Sequence, residues 1–431
     1  VDIERFVARG NQNDVSADVR LRYDDGISLD FEGRGADINR ENRTVEIEKL
    51  SLKGNGNALA SLIAPMAGLN NKTASQIGRL GNIGLDLTGE LKGKKYFVDA
   101  ALQTTPGVVD VVADGIFVSP QRFTSDVMVA TEDFIDLSAL TGTESIIGGV
   151  EGDIEAKLSR TGSRWSGSAD MELDRLMVKG CQYSSVKAHA VLQDDMLTAA
   201  ASVDNENIAI ALNGAYSLAA DSKHIALDGM VERFVPSNLN LWSKFPGSDI
   251  SGSVSIDLTG DDFSHMNGHI TLSGWKLETP EASGISLKNL TMISSDRHIS
   301  LSSDFIDGEL SGDYDFTTLP VAVKAIAGRV FPTLSSSGKP LPVDGLNDFS
   351  FTMRLKDTES LAEFFNLPVS VVYPVAINGA VNDAGGDIAL NLSAPFLRNG
   401  SKLIEDTNLS VFLSGGDGTA SVDLSTVAPT K

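Results

Sequence analysis

The sequence predicts a mainly β protein: an elongated, curled, meandering antiparallel sheet that forms a taco-like groove, with a few short helices. Three observations carry this. Apolar residues recur with a period of two along most of the chain, turn-type dipeptides are scattered throughout, and helical periodicity is sparse.

The alternation begins with Val15, Ala17, Val19, Leu21 and Tyr23, each separated by a polar residue. Ile27, Leu29 and Phe31 follow after Asp24-Asp25-Gly26. The pattern returns at Val45/Ile47, Ile83/Leu85/Leu87, Val254/Ile256/Leu258, Ile270/Leu272, Ile299/Leu301 and Ile388/Leu390/Leu392. Successive side chains of a strand point to opposite faces, so this pattern gives one apolar face and one wet face. A parallel sheet buried on both faces would instead show continuous apolar runs. Six Asp-Gly and five Asn-Gly dipeptides, among them Asp114-Gly115, Asn213-Gly214, Asn267-Gly268 and Asn378-Gly379, are expected to mark hairpin turns.

Helical spacing appears between Ala58 and Leu80, where Pro65 and Gly68 are expected to break or kink it. Shorter candidates are Phe134–Leu140, Pro236–Lys244, Leu319–Val330 and Thr358–Phe365. Pro320 suits a first helical turn, and Phe331-Pro332 suits an end. A weak repeat relates Gly81–Gly89 (GNIGLDLTG) to Gly252–Gly260 (GSVSIDLTG) and, more loosely, to Gly152–Arg160. Such repetition indicates an array of strand pairs. The reading divides the chain into a continuous β-groove region over 1–334, with a helical insertion at about 57–81 and a short helix at about 319–330, and a continuation of the array over 335–431. A Ser/Pro/Gly-rich loop at Ser335–Pro342 separates them.

The chain has 431 residues, 58 acidic against 35 basic, and a net charge of -23. With 42% hydrophobic residues it can build a core. The acidic balance argues against nucleic acid as a partner. No basic run exceeds Lys94-Lys95, so no polybasic membrane patch is expected. Cys181 is the single cysteine, which excludes a disulfide framework and is expected to be a buried inert thiol. The chain starts at Val1 rather than Met, as expected of a processed or truncated chain, and no run of apolar residues is long enough to span a bilayer.

No catalytic constellation emerges, and no enzyme, cofactor or metal is expected. His265 and His269 are four apart but flank Asn267-Gly268, read as a turn. The paired carboxylates Asp24-Asp25, Asp194-Asp195 and Asp261-Asp262 also read as solvated turn residues. Asn42, Asn71, Asn289, Asn391 and Asn408 match the glycosylation tripeptide, with no other sign of a eukaryotic secreted protein.

What remains is a surplus of apolar strand faces over helices to cover them. Either two sheets pack as a sandwich or one sheet curls around a hydrophobic trough. Strand parity names the residues expected to line such a groove: Val19, Leu21, Leu29, Phe31, Leu85, Leu87, Val254, Ile256, Leu258, Ile270, Leu272, Ile299, Leu301, Leu390 and Leu392. A one-residue bulge would flip the parity downstream. Aliphatic side chains with few Trp or Tyr suit acyl chains better than sugars.

The run Phe234–Trp242 (FVPSNLNLW), then Ile250–Gly260, Met266–Leu272, Leu287–Met292 and the strand pair Ile299–Ser303 and Gly308–Phe316 leading to Leu319–Lys324, resembles the repeating β-region of TamB-like proteins of the Bacteroidetes type. These belong to the wider AsmA-like group of envelope-spanning proteins. The resemblance is strongest over about 230–334. It implies an internal segment of a periplasmic bridge, anchored in the inner membrane by a segment not in this chain, whose groove carries phospholipid between the inner and outer membranes. An alternative it implies is a scaffold for outer-membrane β-barrel assembly with an Omp85-type partner. Membranes would then be contacted through segments absent from this chain. A structural or adhesive surface β-protein is the further alternative.

Overall fold

The computed structural model describes residues 2–23, 26–67, 70–138, 147–218, 223–242, 245–261, 266–280, 284–330, 347–365, 369–399, 402–414 and 419–427. Among the described residues the fold is mainly β, 71% strand, antiparallel and not closed into a barrel, with four short helices. The chain divides into two units, Val1–Asn213 with Asn238–Ser243, and Gly214–Ser237 with Lys244–Lys431.

The first unit contains β1 (Asp2–Gly10), β2 (Val15–Tyr23), β3 (Ile27–Ala36), β4 (Thr44–Asn55), α1 (Gly56–Ala67), α2 (Asn71–Arg79), β5 (Asn82–Lys92), β6 (Lys95–Gln103) and β7 (Val108–Ser119). It continues with β8 (Arg122–Thr131), β9 (Ile135–Asp136), β10 (Ile147–Thr161), β11 (Arg164–Val178), β12 (Cys181–Gln193) and β13 (Met196–Asp204), and the division falls within β14 (Ile208–Ser217). Each strand from β1 to β8 pairs antiparallel with the next, β8 and β9 both pair with β10, and the meander resumes to β13.

Residues directly opposite in an antiparallel pair share a face. One row therefore runs Phe6–Val19–Phe31–Leu50–Leu87–Ala100–Val111–Val129–Ile154–Met171–Ala188–Ala201 with no polar residue. The opposite face carries ion pairs such as Arg20–Asp30 (3.5 Å), Lys49–Asp30 (2.5 Å) and Lys187–Glu172 (3.1 Å). The Lys49 hydrogen bond holds the Asp30 carboxyl below its usual range.

The β4 sequence shows how the row survives. Val45 and Ile47 are odd, Leu50 and Leu52 even, with Glu48-Lys49 between them. The register shifts there, from Ile47 opposite Gly89 to Leu50 opposite Leu87. The bulge absorbs one residue, so both apolar pairs keep the same face.

α1 and α2 cover part of this face. Leu59 (2% exposed) packs with Ile27 and Ile83, flanked by Leu52, Ile77 and Leu102. Asn70 caps α2 by accepting the Thr73 N–H at 2.9 Å. α1 runs through Pro65 to Ala67, so the break expected at Pro65 does not occur; Gly68 lies outside the described residues. Truncating Leu59 removes a fully packed side chain. Leu59→Ala should lower unfolding stability by about 2–5 kcal/mol, and a denaturant titration with no measurable loss would contradict this packing.

The second unit contains β15 (Lys223–Phe234), β16 (Asp249–Gly260), β17 (Asn267–Glu278), β18 (Ile285–Ser295), β19 (His298–Ser303), β20 (Ile306–Asp313) and α3 (Leu319–Val330). Then come β21 (Asp348–Leu355), α4 (Glu359–Phe365), β22 (Ser370–Val371), β23 (Val375–Asn382), β24 (Asp387–Asn399), β25 (Lys402–Ser414) and β26 (Thr419–Val427). It is again an antiparallel meander, except that β21 pairs with β23, and β22 with β24. Its apolar row runs Leu227–Ile256–Ile270–Met292–Leu301–Gly308–Met353–Ile377–Leu392–Leu409–Leu424.

Several sequence expectations are corrected. Asp114-Gly115, Asn213-Gly214, Asp228-Gly229, Asn267-Gly268, Asp307-Gly308 and Asn378-Gly379 lie within strands rather than turns. In β23 the reason is visible. A Cβ on Gly379 would lie 2.7 Å from Phe351 Cζ, so the glycine makes room for an aromatic ring on the neighbouring strand. The tight turns use other residues: Asp194-Asp195 (φ 50° and 61°) and Asp296-Arg297 (φ 45° and 63°) both have positive φ. The helix expected at Phe134–Leu140 does not start at Phe134: Ile135–Asp136 forms β9, where Ile135 is buried and pairs with Val150; Ser138 is helical, and residues 139 and 140 lie outside the described set. Pro236–Asn240 is turn, with Asn240 at φ 54°. The loop Ser335–Pro342, Asp24-Asp25, Asp262 and His265 lie outside the described residues.

Candidate functional site

In the second unit the apolar face is concave. A cavity of about 500 Å³ opens on it, floored by side chains from β18–β21, β23 and β24. Ile299 and Leu310 lie opposite each other, and Leu310 faces Phe351 across the next pair. Met292 and Met353 flank Leu301 in the adjacent row, where Gly308 supplies depth between Leu301 and Met353. Glu309 borders the cavity but sits opposite Ser300 and Thr352, in the wet register. The lining is otherwise apolar, and its volume falls in the range of small-ligand sites.

α3 forms the cover. Leu319 and Val323 on its first turns line the cavity together with Phe316, and the helix packs against β24 and β25. Behind Phe316 stands Tyr314, 1% exposed, with ring centroids 4.9 Å apart. Tyr314, Phe349 and Val381 make a buried cluster at this end of the trough.

A buried polar knot fastens the start of α3. Asn347 and Asp383 are each 1% exposed. Asn347 Nδ2 donates to Asp383 Oδ2 (2.8 Å) and to Thr318 Oγ1 (3.1 Å), while its Oδ1 accepts the Asp315 N–H (2.9 Å). The Leu319 and Ala322 N–H groups bond back to Asp315 O and Thr318 O. One side-chain amide therefore joins the β20–α3 connection to the β23–β24 hairpin.

The residues named by parity fall as follows. Ile256, Ile270, Leu301 and Leu392 share one row, Leu258, Ile299 and Leu390 the next, and Val254 and Leu272 a third, all on the apolar face of the second unit. Ile299, Leu301 and Leu390 line the cavity. In the first unit Val19, Phe31 and Leu87 share one row and Leu21, Leu29 and Leu85 its neighbour. Parity overlooked Phe349, Phe351 and Met353, although they alternate in Asp348–Leu355 and were legible there. Phe316 and Tyr314 lie in a connection, where no periodicity announces them.

Outside the trough the chemistry is sparse. Among the described residues no group of three or more His, Cys, Asp or Glu could hold a metal ion. His189 Nδ1 lies 2.6 Å from Asp170 Oδ1, and His224 Nε2 3.1 Å from Asp257 Oδ1, as pairs on the wet face. His269 lies within β17, opposite Asp257, and is exposed. Cys181 is buried. No helix among the described residues is long and apolar enough to cross a membrane. No protein-family model, curated protein or solved structure matches the chain.

Proposed function

We propose that the trough of the second unit holds phospholipid acyl chains, and that the chain is a segment of a periplasmic bridge carrying phospholipid between inner and outer membranes. The observation that supports this most is the apolar row on eleven successively paired strands, widened at one place into a cavity whose lining bears almost no polar atom. Such a surface gains by burying hydrocarbon, at about 25 cal/mol per Å² removed from water. It offers no group for binding a polar substrate or performing chemistry. The resemblance to TamB-like proteins points the same way.

Mass spectrometry of the purified protein is the direct test. Phospholipid should co-purify, and a fluorescent fatty acid should bind and be displaced by unlabelled lipid. Protein free of lipid that also takes up no acyl probe would end this reading.

A further inference from the structure

We infer that one rim of the first unit, built from the β5–β6, β7–β8 and β10–β11 hairpin tips, docks on the surface of an anionic phospholipid bilayer. The tips are tied side by side. The Phe117 N–H donates to Lys94 O (2.7 Å), the Gly162 N–H to Gln121 O (2.8 Å), and the Arg160 guanidinium to Pro120 O (3.0 Å). These hairpins span six paired strands, roughly 25 Å at about 4.8 Å per strand.

The tips gather Lys94, Lys95, Arg122 and Arg164, all exposed. None of the four makes an ion pair among the described residues, in a chain whose net charge is -23. Glu90, paired with Lys92, bounds the patch on one side, and Asp194-Asp195 of the β12–β13 turn on the other. No linear run reveals the patch, because its cations come from three separate hairpins.

The same rim exposes apolar side chains on both faces of one strand. Phe117 is 46% exposed on one face and its neighbour Ile116 43% exposed on the other, while Val118, in the bulge before Ser119, is 42% exposed. In water, apolar groups on both sides of a strand tip are poorly placed; among lipid headgroups they are well placed. Trp165, 43% exposed, continues the row Phe117–Phe123–Arg160–Trp165 at the mouth of the apolar face. The Arg160 guanidinium lies 5.1 Å over the Trp165 ring. Aromatic residues beside unpaired cations match the chemistry of a membrane interface. Nucleic acid fits less well, since Ile116 and Val118 give no stacking surface and one face of Trp165 is taken.

The test is flotation of the whole chain with phosphatidylcholine vesicles, with and without phosphatidylglycerol, at low and high salt. Binding should require phosphatidylglycerol and fade with salt. Lys94→Gln, Lys95→Gln, Arg122→Gln and Arg164→Gln should each weaken partitioning roughly fivefold, with circular dichroism unchanged because the sites are exposed. Phe117→Ser should weaken it further. Absence of flotation, flotation unaffected by the four substitutions, or heparin retention without flotation would each overturn the proposal. It stands apart from the trough: Leu301→Asp, which removes acyl binding, should float like the parent.

Discussion

Leu301→Asp should abolish acyl-chain binding. Leu301 lines the trough between Met292 and Gly308 in the row that crosses the second unit. A carboxylate there must either keep its water, which excludes hydrocarbon, or take up a proton and be buried as a neutral polar group at roughly 2–7 kcal/mol. Even the lower figure corresponds to about a thirtyfold loss of affinity for a fluorescent fatty acid. Thr291→Asp is the control. Thr291 adjoins Met292 in the chain but lies opposite Thr271 and Ser302 on the wet face, so its carboxylate stays solvated. Equal binding by both variants would show that the trough is not where acyl chains sit.

Asn347→Ala should cost the second unit roughly 3–5 kcal/mol. The substitution leaves the buried Asp383 carboxyl without its side-chain partner and takes one acceptor from the half-buried Asp315 N–H, at about 1–3 kcal/mol for a buried group and more where charge is involved. Asp383 Oδ1 already has no hydrogen bond, so the carboxyl has nothing to fall back on. Fastening of α3 depends on the same amide, so hydrogen exchange in Leu319–Val330 should rise more than in β16 or β17. Replacing both partners with apolar residues, Asn347→Leu with Asp383→Leu, should recover part of the loss. Unchanged exchange in α3 would show that the helix is held by its apolar contacts alone.

Much of the architecture was legible in the alternation. Val254/Ile256/Leu258 and Ile270/Leu272 announce β16 and β17, and the period of two states which residues share a face. Leu319–Val330 announced itself as a helix through apolar spacing and Pro320. The Asp-Gly and Asn-Gly pairs misled because a glycine has two uses in such a sheet. It can adopt positive φ in a turn, or it can leave space beneath a large neighbour, as Gly379 does under Phe351. The dipeptide is the same in both cases, and only the register tells them apart.

The trough and the rim were legible to different degrees. The lining of the trough is periodic and local, so Ile299, Leu301 and Leu390 could be named from parity. Its cover could not. Phe316 and the Asn347–Asp383 knot join segments more than thirty residues apart through contacts that leave no periodic trace. The rim was hidden for a related reason. The average charge and the longest basic run both argued against a cationic patch, yet three hairpin tips bring Lys94, Lys95, Arg122 and Arg164 to one edge.

The sequence by itself determined that this is an antiparallel β protein with one apolar and one wet face. Side-chain direction in a strand is a property of adjacent residues, and it needs no knowledge of what lies beyond them. Only the tertiary structure decided where the apolar face becomes concave, what covers it and which charges stand together. Those features depend on register, bulges and hairpin stacking, and they place residues in contact that the chain itself keeps apart.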